Sequence, residues 1–140
     1  MRGMLGVIVI LLASAASAEE SAAVKYRQTT MKAVGGHMGA VGAIAKKQVD
    51  HPDDLAVHTA SLAALSGIVP ELFGSDAKGG DALPKIWSEP DEFKKRLEAF
   101  RAAAVDLDTL VKAGDMTAFP KAVGALGDAC KGCHDNFKKE

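Results

Sequence analysis

Apolar residues recur at every third or fourth position in four separate stretches, and this periodicity constrains the fold more than any other feature of the chain. The stretches cover residues 24–45, 55–72, 93–111 and 119–137. This spacing places the apolar side chains on one face of an α-helix, and no stretch shows the strict alternation typical of a half-buried strand. The sequence therefore predicts an all-α fold in which four amphipathic helices bury their apolar faces against one another.

Helix-breaking residues separate the four stretches. Asp50-His51-Pro52-Asp53 stops the first helix and restarts the chain with a proline in the next first turn, and Gly114-Asp115 separates the last pair. The long connection from Phe73 to Trp87 is rich in glycine and has no helical period, and we expect Trp87 to anchor it by packing. Short, long and short connections predict an antiparallel four-helix bundle, left-handed through three-four packing.

The first 18 residues have the pattern of a secretory signal peptide. Arg2 precedes an apolar run from Leu5 to Leu12, and Ala16-Ser17-Ala18 supplies a cleavage site. The run is shorter than the roughly 20 residues that span a bilayer, and we expect no other segment to insert stably into a membrane. The sequence thus predicts residues 1–18 as signal peptide and residues 19–140 as one exported, periplasmic domain.

The pentapeptide Cys130-Lys131-Gly132-Cys133-His134 is the motif that carries chemistry. Two thiols at this spacing lie on one helical face and can add to the two vinyl groups of one porphyrin, while the adjacent imidazole of His134 reaches the iron. The motif predicts one covalently bound haem c.

A single CxxC pair also occurs in structural disulfides, in thioredoxin-like redox sites and in zinc sites. A thioredoxin-like pair should open a helix after a strand, whereas this pair closes the last helix. A zinc site needs four ligands, and His37, His51 and His58 are not at a metal-ligand spacing with one another. We therefore interpret these histidines as surface or internally satisfied residues, and haem as the favoured ligand of the cysteines.

Three short strings of the sequence resemble class II c-type cytochromes, the cytochrome c-prime family. They are Lys25-Tyr26-Arg27-Gln28, the Gly79-Gly80-Asp81 loop with Pro84-Lys85-Ile86-Trp87, and Cys130 to Asp135. The resemblance covers essentially the whole chain after the signal peptide. It implies a four-helix bundle with haem near the C-terminus, and the absence of a methionine after His134 excludes the class I arrangement.

The resemblance implies a role for each matching residue. Cys130 and Cys133 would form the thioethers and His134 would be the proximal iron ligand. Arg27, Gln28 and Asp81 would contact the haem and its propionates, and Lys138 would be the basic residue beside the proximal histidine. Arg27 has independent support, because a guanidinium in an apolar helix face is costly unless it pairs with a group such as a haem carboxylate.

Met31 stands where the family places its residue on the distal side of the haem. Low-spin members use a methionine of the first helix as the sixth iron ligand and transfer electrons, whereas high-spin members leave the iron five-coordinate and bind gases. The string from Arg27 to Lys32 favours the low-spin group, with Met31 as sixth ligand, and we expect Val34, Met38 and Phe73 to line the same pocket. The alternative is a five-coordinate protein that binds nitric oxide or carbon monoxide.

The resulting prediction is a periplasmic electron carrier that works with redox partner proteins. It is not predicted to be an enzyme, because the chain shows no nucleophile and base pair of a catalytic site. The formal net charge of −1 gives no basic face for nucleic acid. The family often dimerises through its first two helices, and the sequence does not decide between monomer and homodimer.

Overall fold

The computed structural model describes residues 20–140, so the predicted signal peptide, residues 1–18, lies outside the described residues. The helices are α1 (Ala22–Ala45), α2 (Leu55–Ile68), α3 (Lys85–Ser88), α4 (Pro90–Lys112) and α5 (Phe119–Phe137). Short 3-10 helices cover Pro52–Asp54, Val69–Phe73 and Ser75–Ala77. The structure confirms the predicted all-α four-helix bundle, with α1, α2, α4 and α5 as its four long helices.

Local chemistry explains where the helices begin and end. The Ser21 hydroxyl accepts a 3.2 Å hydrogen bond from the Val24 N–H and caps α1. The second apolar stretch was predicted as one helix to residue 72, but α2 ends at Ile68 and continues as a 3-10 turn. Pro70 lies in that turn and has no N–H to donate to the helix. At the α4–α5 connection Gly114 takes a φ of 70°, which favours glycine.

Contacts between helices show that neighbours run antiparallel. Arg27, near the start of α1, reaches Ala77 after the end of α2. Phe73 at the end of the second stretch packs edge-on against Phe93 at the start of α4, and Phe93 packs on Phe137 at the end of α5. The aromatic contacts therefore gather at one end of the bundle, where the start of α1 also lies.

The segment Pro52–Phe73 is long and apolar enough, by length and composition alone, to cross a membrane, which the sequence analysis did not expect. In the bundle it supplies core residues, because Leu62 is fully buried and Leu55 and Val69 are nearly so. The buried Thr59 hydroxyl also donates a 3.1 Å hydrogen bond to Asp108 of α4. Its apolar composition thus has a packing explanation.

The long connection between α2 and α4 is more ordered than its sequence predicts. It contains the Ser75–Ala77 turn and the short helix α3, and the Trp87 indole donates a 2.9 Å hydrogen bond to the Phe73 carbonyl, which confirms Trp87 as an anchor. The Leu83 N–H donates to the Phe137 carbonyl (2.9 Å), and the Lys139 N–H donates to the Asp81 carbonyl (2.8 Å). These bonds hold the connection against the C-terminal end of α5.

Candidate haem site

A cavity of about 530 Å³ opens at the end of the bundle where α1, the long connection and α5 meet. Its volume lies in the range of cofactor pockets. Most of its wall is apolar, from side chains of α1, the α2–α4 connection, α4 and α5: Met31, Val34, Met38, Val69, Phe73, Ala82, Ile86, Phe93, Leu97, Phe100 and Phe137. Such a wall suits a large, flat, mainly apolar ligand.

The predicted attachment residues lie together on one wall of the cavity. Cys130 and Cys133 are one helical turn apart on α5, so both thiols face the same way, and both are free and partly buried. His134 follows on the same helix and also lines the cavity. Two thiols and an imidazole on one wall of an apolar cavity are the donor set that a covalent haem requires.

The environment keeps these three groups in their neutral forms. Burial raises the pKa of the Cys130 thiol, and burial together with the neighbouring Cys130 raises the pKa of Cys133 to about 11, with Arg96 acting in the opposite direction. For His134, burial and the charge of Lys138 lower the pKa. The carboxylates of Asp81 and Asp135 act against that shift. A neutral imidazole is the form that binds a metal ion.

Arg27 is almost completely buried, with 2 % of its surface exposed. Its guanidinium donates to the carbonyls of Ala77 and Gly79, the latter at 2.8 Å, and lies 3.6 Å from the Asp81 carboxylate. The buried charge is therefore already paired by the long connection, a set of partners that the sequence analysis did not identify. Because a guanidinium has five N–H donors, these two hydrogen bonds leave donors for a ligand carboxylate, and the propionate contact stays a prediction.

The polar residues at the rim of the cavity are placed next to one another. Gln28 donates a 3.0 Å hydrogen bond to Glu20, and Asp81 is 45 % exposed beside Arg27. All seven sequence-predicted site residues line this one cavity, and so does Lys138: Arg27, Gln28, Met31, Asp81, Cys130, Cys133 and His134. Met31 is partly buried and comes from α1, a different helix from the one that carries His134.

The structure also brings together two residues that the sequence analysis treated as unrelated. Nδ1 of His37 on α1 lies 3.0 Å from Nδ1 of His58 on α2, and the ring centroids are 5.2 Å apart. The two rings satisfy each other's hydrogen bonding, which agrees with the interpretation of these histidines as internally satisfied, although the sequence did not identify the pair. The available signal was their position on the facing sides of two antiparallel helices.

The fold and the cavity define a c-type haem protein built on a four-helix bundle. A family model described as Cytochrome C' matches residues 22–138, and the chain belongs to that family. It carries one covalent haem c, as the family does.

Sequence similarity to known proteins extends over most of the chain. Cytochrome c' of Alcaligenes xylosoxydans xylosoxydans is 37 % identical over 84 % of this chain and 94 % of its own length. Cytochrome c' of Pararhodospirillum photometricum is 37 % identical over 87 % of this chain and 100 % of its own. A solved nitric oxide complex of a variant of cytochrome c prime from Alcaligenes xylosoxidans has a TM-score of 0.78 and 34 % identity, with 84 % and 94 % of the two chains covered.

Proposed function

We propose that this protein binds small neutral gases, nitric oxide and carbon monoxide, at its single haem c. The observation that carries the proposal is the close structural similarity to nitric oxide complexes of cytochrome c prime. It favours the gas-binding alternative over the electron carrier that the sequence predicts as its main function. Electron transfer is the second candidate, and the presence of the Met31 side chain in the cavity wall is the observation in its favour.

The attachment chemistry assigned to α5 follows from its three donors. Cys130 and Cys133 would hold the haem through two thioethers, each formed by addition of the S–H across one vinyl group, so that the sulfur gains a carbon and the vinyl gains a hydrogen. His134 would hold the iron through its neutral ring nitrogen, from the same helix. When bound, the haem would supply the iron to which a diatomic gas binds.

The apolar part of the cavity wall determines which small molecules bind at the haem. Met31, Val34 and Phe73 offer no strong hydrogen-bond donor to a molecule that contacts them, whereas the donors of Arg27 and Gln28 lie at the rim. A distal pocket without donors favours neutral diatomic gases over polar ligands. Met31 has three rotatable bonds in its side chain, so it can move aside for a small molecule without a change in the backbone.

The polar rim would hold the propionate edge of the haem. Arg27 is positioned by the long connection, and its remaining donors suit a planar carboxylate such as a haem propionate. Asp81 lies beside the guanidinium and orients it, while Gln28 adds an amide at the rim. These three residues form the proposed propionate site, and Lys138 adds a positive charge near His134.

The proposed function is binding without catalytic turnover. We propose that residues 19–140 carry it out in the periplasm, after removal of a signal peptide formed by residues 1–18. Redox partner proteins are expected only if the protein transfers electrons. A homodimer is expected only from the resemblance to the family.

The test is the visible spectrum of the purified holoprotein, oxidised and reduced, before and after addition of carbon monoxide. Gas binding predicts a broad, high-spin ferrous spectrum that shifts with carbon monoxide and with nitric oxide. A sharp low-spin spectrum that carbon monoxide leaves unchanged, and that Met31→Ala abolishes, would contradict the proposal and favour electron transfer.

A further inference from the structure

Two histidines on neighbouring helices meet outside the haem cavity. His37 of α1 and His58 of α2 are both partly buried, and their Nδ1 atoms are 3.0 Å apart with the ring planes inclined by 58°. Their positions are 21 residues apart in the chain, so only the antiparallel packing of the two helices brings them together. Neither ring contributes to the wall of the haem cavity.

We propose that His37 and His58 form a binding site for a divalent transition-metal ion of the zinc class. Zinc binds imidazole nitrogens at about 2.0–2.1 Å in tetrahedral geometry, which places two such nitrogens roughly 3.3–3.4 Å apart. The observed separation is within a few tenths of an ångström of that value. A small rotation of the two partly exposed rings therefore directs both Nδ1 lone pairs at one ion.

When a metal ion replaces the hydrogen bond between the two rings, no proton needs to be released. In the pair as it stands, one Nδ1–H donates to the Nδ1 lone pair of the other ring. On binding, the donor ring moves its proton from Nδ1 to Nε2, the tautomer that the acceptor ring already has, so that two neutral imidazoles present two bare Nδ1 atoms to the ion. Imidazole is a preferred ligand of zinc, copper and nickel, which defines the class of ion.

Water completes the coordination of this site. Within residues 20–140 no group of three or more histidine, cysteine, aspartate or glutamate side chains is arranged to hold a metal ion, so the protein supplies two ligands only. Closed structural zinc sites use four protein ligands, and a two-ligand site binds an exchangeable ion. The ion would join α1 to α2 and stabilise the folded state according to its concentration.

The chain offers a matched control for this site. It has four histidines, of which His134 is assigned to the haem iron. His51 is the remaining one, 67 % exposed and 3.8 Å from the Asp54 carboxylate. The substitution His51→Gln therefore removes an accessible imidazole without touching the pair.

The experiment is isothermal titration calorimetry of zinc chloride into the holoprotein, held at about pH 7.5 throughout because metal affinity depends on pH. We expect one equivalent of zinc per chain. Loss of a single supporting partner in a metal site commonly costs 10- to 100-fold in affinity, so His37→Gln and His58→Gln, which each remove a ligand, should weaken binding more than about tenfold. His51→Gln should leave the isotherm unchanged.

Three results would overturn the assignment: no zinc binding by the wild-type protein, zinc binding as tight as in the wild type by both pair variants, or loss of binding in His51→Gln alone. Anomalous diffraction at the zinc edge from zinc-soaked wild-type crystals is a second test, and it does not depend on whether the variants fold. A peak between the two Nδ1 atoms is expected, and a peak only elsewhere would contradict the site. Neither measurement depends on which gas or electron partner the haem serves.

Discussion

The buried guanidinium of Arg27 donates a 2.8 Å hydrogen bond to the carbonyl of Gly79, joining the start of α1 to the middle of the long connection. A second bond to the Ala77 carbonyl and the nearby Asp81 carboxylate complete its surroundings. The same residue therefore holds the connection in place and presents donors to the haem cavity. Loss of this side chain should affect both stability and the site.

Arg27→Met should lower the free energy of unfolding of the holoprotein by roughly 2–6 kcal/mol, because the two carbonyls lose their donor and each buried unpaired group costs about 1–3 kcal/mol. Urea unfolding followed by circular dichroism measures the change. Arg101→Met, at an exposed position of α4, is the control and should change stability by less than about 0.5 kcal/mol. Equal stability of the two variants would show that the bonds to the connection contribute little.

Gly80→Ala should destabilise the protein more than Gly114→Ala. Both glycines have positive φ, 58° and 70°, so both variants carry the backbone cost of roughly 1 kcal/mol. At Gly80 the new Cβ would also lie 2.7 Å from the Gln28 side chain and 3.0 Å from Val24, whereas at Gly114 nothing lies within 4 Å. Thermal unfolding measures the difference, and a larger effect at Gly114 would contradict this account.

Met31→Ala should speed the binding of carbon monoxide to the reduced protein by about tenfold, which corresponds to removal of about 1.4 kcal/mol from the barrier. The reason is steric, since the Met31 side chain occupies the wall of the cavity that the gas must enter. Flash photolysis measures the rate, and Met116→Ala, at a residue that is 49 % exposed, is the control. An unchanged rate would place Met31 outside the path of the gas.

The thiol of Cys133 should react slowly with iodoacetamide in the haem-free protein, because burial raises its pKa to about 11 and the thiolate is the reactive form. The ordinary pKa is 9.0, so near pH 8 the rate should be roughly 100-fold below that of an exposed thiol and should rise up to about pH 11. The Cys130→Ser variant leaves Cys133 as the only thiol and removes the contribution of Cys130, so burial alone should still hold the rate below that of an exposed thiol. A rate equal to that of a free cysteine would show that the cavity closes only after haem attachment.

The same shift predicts a pH dependence of stability. The folded state favours the neutral thiol of Cys133, since its folded pKa lies above its unfolded value. The contribution to stability is therefore fully present below about pH 9 and is lost as the pH rises through about 11. Urea unfolding of the haem-free protein at several pH values measures this loss; Cys130→Ser should keep the part that burial causes, and Cys130→Ser/Cys133→Ala should remove it.

The sequence alone determined the features that depend on neighbouring residues. The three-four period located all four long helices, and the ends of α1 at Ala45 and α5 at Phe137 agree with it. The spacing of Cys130, Cys133 and His134 placed three donors on one helical wall. These predictions succeed because the backbone hydrogen bonds of an α-helix fix which side chains share a face.

Only the tertiary structure decided the features that join distant parts of the chain. The sequence identified Arg27 as a buried charge that needs a partner but did not show that carbonyls about 50 residues later provide it. It treated His37 and His58 as separate residues, although α1 and α2 bring them within 3.0 Å. Such contacts depend on how helices pack against one another, and this relative placement is set by the sum of many weak contacts in the core rather than by any local pattern.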